Sequence, residues 1–426
     1  MKFSSIQEAI NKKTGKVAVR GWVYRERGSN KFKFIVLRDS TNIIQVIVKK
    51  ENFKKQWEEI DALRIEASIE VEGTIKADKR APTGFEIQAS KINIIGKSED
   101  FPLHKNQTDE FLLDNRHLAL RTRKLTAILK IRSNILGSLH ETVRKKGFIQ
   151  ADPPMFNATT SEGGSEVFQV PYFGKKAFLN QSWQFYAENF IHAFEKVYTL
   201  SPSFRAEKSR TPHHLTEFWH FEVEQAWANV NDLIKLAEEC IMNAIKAVLK
   251  YSKTELKLLN AEEHLKKIKT PFPKITYKKA IELLNKKGHK IKFGRDLSSN
   301  EEKALTEHYK NFVVVTNYPL ETLKFYHGED PKNKGTGTNF NLLAPEIGEL
   351  VDGSQREPDL KKIQQRLKKA KVDLGKSDWY LDSRRYGSIP HAGFGLGTER
   401  FVQWICNLST IKDAIPFPRT PTRIRP

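Results

Sequence analysis

Between residues 17 and 98 apolar and polar side chains alternate in short runs, and this alternation limits the fold more than any other feature of the sequence. Val17-Ala18-Val19-Arg20-Gly21-Trp22-Val23 is followed by Phe34-Ile35-Val36-Leu37, an Asp39-Ser40-Thr41-Asn42 turn, and Ile43 to Val48. Ile65 to Ile75 comes next, then Phe85-Glu86-Ile87 beyond a turn holding Pro82 and Gly84, and finally Ser90 to Ile95. A period of two buries one face of each strand. Short runs of this kind within about 80 residues predict a small closed barrel of five strands. A helix over Phe53 to Asp61 interrupts them.

Residues 99–115 are a polar connector, and residues 116–426 follow another pattern. Leu125, Ile128, Leu129, Ile131, Ile135, Leu136, Leu139 and Val143 recur at steps of three and four, the spacing of one helix face, and Gly147 is placed to end that helix. Phe148 to Asp152 then runs into Pro153-Pro154, and prolines predict an edge or interface strand. Strands and a helix rich in aromatics fill 166–228, and Asn231 to Tyr251 reads as a second amphipathic helix. Residues 252 to about 310 are lysine-rich, with one helix at Tyr277 to Lys287, and read as a solvated insertion. Apolar strands return at Phe312 to Val315, Leu342-Leu343 and Ile347 to Val351, and Phe394 to Leu408 reads as a glycine turn leading into a helix. The fold class expected is α+β.

Composition narrows the function. Lys and Arg number 72 against 51 Asp and Glu, a net charge of +21 that suits a polyanionic partner. The chain is 39% hydrophobic, too apolar for a disordered one, yet no apolar run reaches the length of a membrane span. The start, MKFSSIQEAI, lacks a secretory apolar segment, so a soluble cytoplasmic protein with no membrane partner is expected. Cys240 and Cys406 cannot build a disulfide framework or a zinc-binding pair.

Two clusters carry candidate chemistry. Ser203 to Phe218 reads as a hairpin around a polar loop, with Arg205 and Glu207 on one strand face. An arginine fork matches phosphate or carboxylate oxygens, a glutamate accepts from an exocyclic amine, and Phe218 offers a stacking plane. The second cluster is Pro390-His391-Ala392-Gly393-Phe394-Gly395-Leu396-Gly397-Thr398-Glu399-Arg400. Alternate glycines allow close approach, and the helix start at Arg400 favours an anion. No Gly-Lys-Ser/Thr follows, so it is not a P-loop.

Together these clusters resemble motifs two and three of the class II aminoacyl-tRNA synthetases: Phe-Arg-x-Glu with a following His-x-x-x-Phe, and a distal Gly-x-Gly-x-x-Arg. The long helix, Gly147 and the strand ending at Pro154 resemble motif one. Gly21-Trp22-Val23, Phe34 to Asp39 and Ile43-Ile44-Gln45 resemble the anticodon-binding OB-fold of the aspartyl, asparaginyl and lysyl subgroup. The resemblance implies an OB-fold barrel over 1–98, a 99–115 hinge, and a class II catalytic domain over 116–426 whose antiparallel sheet is flanked by helices. It implies a ligase that joins an amino acid to AMP and then to tRNA, working as a homodimer with ATP and Mg²⁺.

Residue by residue, the resemblance implies that Arg205 bridges the substrate carboxylate and the α-phosphate, Glu207 reads the adenine amine and Phe218 stacks on the ring. Arg400 covers the other adenine face and reaches the γ-phosphate with His214, and Gly397 belongs to the same ATP site. Glu349 and Asp352 are the Mg²⁺ ligands, although relatives usually carry a small or hydroxylic residue at 352. Ser161, Glu162, Gln184 and Glu222 gather around the substrate ammonium and carboxylate. Aspartate-specific relatives carry Lys-Gln where this chain has Ala187-Glu188, so Glu188 is expected to accept from a side-chain amide while Arg356 donates to its oxygen. The amino acid expected is therefore asparagine and the RNA tRNA(Asn), with an aspartate-using enzyme or an asparagine synthetase paralogue as alternatives. Phe34, Gln45 and Glu86 match anticodon contacts, and His213 stands where relatives commonly have Arg.

Overall fold

In the computed structural model, which describes residues 2–104, 106–158, 167–207, 214–370 and 375–426, the N-terminal alternation becomes a closed barrel. The chain divides into two units, Met1–Leu112 and Leu113–Pro426, a division that falls inside the polar connector. The barrel strands are Gly15–Gly28, Phe32–Arg38, Ile43–Lys49, Ser68–Ala77 and Phe85–Gly96. They pair in the order first, second, third, fifth, fourth; only the third and fifth run parallel. Val19, Val23, Ile35, Leu37, Ile44, Val46, Val71 and Ile87 point inward and are fully buried. Closure leaves no unpaired edge to aggregate. Gly73 sits at a bulge where an added Cβ would lie 2.2 Å from the Gln88 carbonyl oxygen, which is why a side chain is absent there. A helix that the alternation did not reveal, Ile6–Lys12, is held by a Ser5/Glu8 capping box and adds Ile6 and Ala9 to the barrel core. The interrupting helix is shorter than expected, Trp57–Asp61, preceded by a 3₁₀ turn at Lys50–Asn52.

The second unit is built on an eight-stranded sheet. Its order is Lys274–Thr276, Val313–Thr316, Asn339–Ala344, Gly348–Gln355, His391–Gly397, Glu217–Ala226, Lys196–Phe204 and Ile149–Gln150. The six central strands are antiparallel and each edge strand runs parallel to its neighbour, so the sheet is mixed. The strand before Pro153-Pro154 is an edge strand, as proline requires. The long helix spans Arg123–Lys145 and buries Ile128, Ile131, Ile135, Leu139 and Val143 completely, while Leu129 and Leu136 lie off the stripe, half-buried. Gly147 takes φ +83°, and the N–H groups of Gly147 and Phe148 donate to the Arg144 and Val143 carbonyls at 3.0 and 3.1 Å, closing the helix.

Two expectations need correction. Residues 252–310 hold the expected helix, Tyr277–Lys286, and are more than a solvated segment: they add helices Lys253–Leu259 and Ser299–Tyr309 and supply an edge strand of the main sheet. Tyr277, Ala280, Ile281, Leu284 and Leu305 pack with Val313, Val315 and Leu343 in one core. The lysines between them occupy the outer helix faces and obscure the apolar period. The glycine run is likewise not a turn. His391–Gly397 is a central strand, and the helix Thr398–Ile405 begins only after it.

Candidate active site

Three adjacent strands form the floor of a cavity of about 210 Å³ in the second unit. In their register His220 lies opposite Gly397, Glu222 opposite Gly395 and Glu224 opposite Gly393, while Asp352 and Ser354 face Gly395 and Gly393 from the other side. Long polar side chains of one strand thus lie over Gly393 and Gly395 on the next. An added Cβ at Gly395 would come within 2.5 Å of His220 Nε2, and one at Gly393 within 1.8 Å of Glu224 Oε2. Glycine is needed here for space rather than for an unusual φ.

One end of the cavity is lined by Arg205, Glu207, His214, Phe218, Glu349, Gly397 and Arg400, all expected at the nucleotide site. Arg205 and Glu207 follow the strand that ends at Phe204 instead of lying within it. The Arg205 guanidinium sits 5.5 Å from the Phe218 ring centre, and Glu207 lies 3.9 Å from both Arg205 Nη1 and His214 Nε2. Arg400, in the first turn of its helix, donates from Nη1 to the Glu349 carbonyl at 2.8 Å. Two cations and an aromatic plane around one recess suit a phosphorylated planar ligand.

Glu349 and Asp352 both line the cavity although three residues apart on one strand. Ideal alternation would send them to opposite faces. A bulge corrects this: Leu342 pairs with Val351 and Leu343 with Glu349, so Leu350 is the extra residue. Asn341 Nδ2 donates to Glu349 Oε2 at 2.6 Å and fixes that carboxylate. Among the described residues no three His, Cys, Asp or Glu side chains cluster as a metal site. Two carboxylates on one face still fit a small hard cation, which completes its shell with phosphate oxygens and water.

The opposite end is lined by Gln184, Glu222, Glu224, Tyr326 and Arg356. Glu222 accepts from Ser182 Oγ at 2.5 Å and from the Trp183 N–H at 3.0 Å. Arg356 and Glu224 form a buried fork, Nε to Oε1 at 3.2 Å and Nη2 to Oε2 at 3.0 Å. Burial alone would ease the proton off Arg356, and the facing Glu224 carboxylate reverses that, raising its pKa. Glu188 differs from the expectation. It does not line the cavity but lies behind its wall, fully buried, with its oxygens taken by Gln184, Tyr380, Arg384 and His391. The carboxylate facing the cavity beside Arg356 is Glu224, which sequence reasoning missed. Its signal was available, since it lies two residues beyond Glu222 on the same strand face. Ser161, Glu162 and His213 lie outside the described residues.

In the barrel, Phe34, Gln45 and Glu86 share the outer face. Gln45 Nε2 donates to Glu86 Oε2 at 3.1 Å, and Lys76 Nζ lies 3.2 Å from Glu86 Oε1. On the next strand Phe34 is half-buried under the Arg27 guanidinium, 4.9 Å from its ring centre. An aromatic plane beside an amide and a flanking cation is the kind of surface on which a splayed base can stack.

The comparisons agree with this geometry. Residues 108–421 match the family described as tRNA synthetases class II (D, K and N), and residues 17–95 match an OB-fold nucleic acid binding domain. The asparagine–tRNA ligase of Thermoplasma acidophilum is 45% identical over 414 residues, covering 96% of each chain. The crystal structure of asparaginyl-tRNA synthetase from Pyrococcus horikoshii complexed with asparaginyl-adenylate superposes with a TM-score of 0.94 at 40% identity, covering 100% of both chains. The Entamoeba histolytica asparaginyl-tRNA synthetase in complex with asparaginyl-adenylate gives a TM-score of 0.90 at 28% identity over 97% of each. With a matching OB-fold domain earlier in the sequence and residues of both motif-like clusters lining one cavity, the chain belongs to the class II tRNA synthetases of the D, K and N group.

Proposed function

We propose that this protein activates asparagine with ATP, giving asparaginyl-adenylate and pyrophosphate, and transfers the asparaginyl group to tRNA(Asn). Relatives of nearly full length carry that name, and the ends of the cavity suit the two halves of an aminoacyl-adenylate. The observation that carries the choice of amino acid is the buried Arg356–Glu224 fork, one donor and one acceptor side by side. A carboxamide satisfies both. A carboxylate leaves Glu224 facing a like charge in a desolvated site, a mismatch that is costly there.

In the first step the substrate α-carboxylate attacks the α-phosphorus and pyrophosphate leaves in line; no protein nucleophile is needed, so positioning and charge carry the rate. Arg205 neutralises charge on the carboxylate and α-phosphate, Glu207 accepts from the adenine amine, and Phe218 and Arg400 hold the ring between them. His214 and Arg400 meet the outer phosphates, and Gly397 leaves the space for them. Gln184 and Glu222 hold the substrate ammonium. Glu349 and Asp352 would hold Mg²⁺, which screens phosphate charge when bound. In the second step a hydroxyl of the terminal tRNA ribose attacks the carbonyl carbon and AMP leaves. Phe34, Gln45 and Glu86 read the anticodon, and the reaction belongs in the cytoplasm, where translation uses its product.

Exposed Ile149, on the edge strand that follows the long helix, and exposed Phe156, Tyr172 and Phe173, in and beside a separate three-stranded sheet, leave apolar surface that supports a homodimer. The test is aminoacylation of a tRNA(Asn) transcript. Charging with asparagine and not with aspartate is the expected result; charging with aspartate alone overturns the reading.

A further inference from the structure

Glu188 has the most heavily bonded buried carboxylate beside the amino-acid end of the cavity, yet it does not line it. Its Oε1 accepts from Gln184 Nε2 at 2.8 Å, and Tyr380 Oη lies 3.0 and 2.9 Å from the two oxygens. Its Oε2 also meets His391 Nε2 at 3.0 Å and the Arg384 guanidinium, which stacks over the Tyr380 ring. Burial pushes this carboxyl up, and Arg384 with His391 more than reverse that, holding it well below the usual carboxylate range.

What these partners hold in turn is the important point. Gln184 is part of the cavity wall. On the opposite wall the Arg356 N–H donates to the His391 carbonyl at 2.9 Å, and Arg384 Nε donates to the Glu357 carbonyl at 3.3 Å. The Glu357 carbonyl is therefore held by the Arg384 side chain that Glu188 binds, and the Arg356 N–H by the main chain of His391, whose ring meets Glu188. One buried carboxylate thus links Gln184 on one wall to Arg384 and His391, the residues that hydrogen-bond to positions 356 and 357 on the other. We propose that Glu188 is a positioning residue that braces both walls of the amino-acid end and so governs the choice between a carboxamide and a carboxylate without touching the substrate. This deepens the asparagine reading above and rests on it.

The test is amino-acid-dependent ATP–pyrophosphate exchange with Glu188→Gln, Glu188→Asp and Tyr380→Phe. Glu188→Gln keeps the shape but removes the charge that holds Arg384 and His391. It should raise the KM for asparagine about tenfold or more, leave the KM for ATP within about twofold, and lower the asparagine-over-aspartate ratio. Glu188→Asp, which retains the charge, should recover part of that ratio. Tyr380→Phe, which removes one donor and keeps the ring stack on Phe185, should shift the asparagine KM in the same direction by less. An unchanged asparagine KM in Glu188→Gln overturns the proposal, as does a rise in both KM values together, the signature of a loosened fold. If Glu188→Gln does not fold, an unchanged asparagine KM in Tyr380→Phe overturns it instead. Failure of the unsubstituted protein to exchange with asparagine removes the reading underneath and is seen before any variant is made.

Discussion

Replacing Glu224 with glutamine is the sharpest perturbation of the amino-acid end. Glu224 is 1% exposed and Arg356 6%, and two contacts of 3.2 and 3.0 Å join them. Removing one partner of such a pair leaves a buried uncompensated charge and typically costs about 3–5 kcal/mol. At about 1.4 kcal/mol per factor of ten, that is roughly two to four powers of ten in selectivity if the cost falls on substrate choice. The direction follows from charge. With a neutral amide at 224, the Arg356 guanidinium lacks its anion, and aspartate supplies one where asparagine does not. Pyrophosphate exchange with each amino acid should therefore show kcat/KM falling for asparagine, rising for aspartate, and a ratio smaller by about a hundredfold or more. Circular dichroism melting of the same variant separates a selectivity change from simple unfolding. A folded Glu224→Gln protein whose ratio stays within about threefold of the original refutes the reasoning.

Other expectations are independent of that fork. Arg400→Ala should abolish adenylate formation, measured by exchange, while filter binding of tRNA stays largely intact, because this side chain meets the cavity and the Glu349 carbonyl. Phe34→Ala should weaken tRNA charging and spare exchange, since the ring lies on the barrel's outer face; stacking on one base is worth about 1–3 kcal/mol. Chelating Mg²⁺ should stop exchange, and Glu349→Gln should raise the Mg²⁺ concentration needed to restore it. Burial, with Arg356 nearby, pushes His327 down to about 3, so this ring stays neutral in the fold while the unfolded chain takes up a proton near pH 6.5. Unfolding then binds a proton between those values, and stability falls as pH drops through that window by up to about 1.4 kcal/mol per unit. His327→Gln should flatten that acid limb in urea titrations at several pH values.

The barrel was legible in the sequence because its core is almost purely aliphatic and its strands are short apolar runs broken by turn residues. The long helix was legible from its apolar stripe, with a glycine at its end. In the 252–310 region only the helix beginning at Tyr277 was legible; the helices Lys253–Leu259 and Ser299–Tyr309 and the edge strand Lys274–Thr276 were not, because the surrounding lysines dominate the composition. The glycine run misled in another way. Alternate glycines ordinarily signal a turn, yet here they are strand residues kept bare by the side chains of His220 and Glu224. That requirement belongs to the neighbouring strand and cannot be read locally. At the nucleotide end, Arg205, Phe218 and Arg400 line one cavity, as the resemblance to motifs two and three implied. At the amino-acid end, the resemblance to aspartate-specific relatives pointed to the glutamate at 188, whereas tertiary packing turned that side chain toward Arg384 and left Glu224 facing the cavity.

The central claim is that a carboxamide lies against Arg356 and Glu224 while Glu188 stays behind the wall. A crystal structure with a non-hydrolysable sulfamoyl analogue of asparaginyl-adenylate tests it most directly. The amide oxygen within hydrogen-bonding distance of the Arg356 guanidinium, the amide nitrogen toward Glu224, and Glu188 still bonded to Tyr380 and Arg384 are what the account predicts. An amide seated elsewhere in the cavity, or a Glu188 carboxylate turned inward to meet it, would contradict the account.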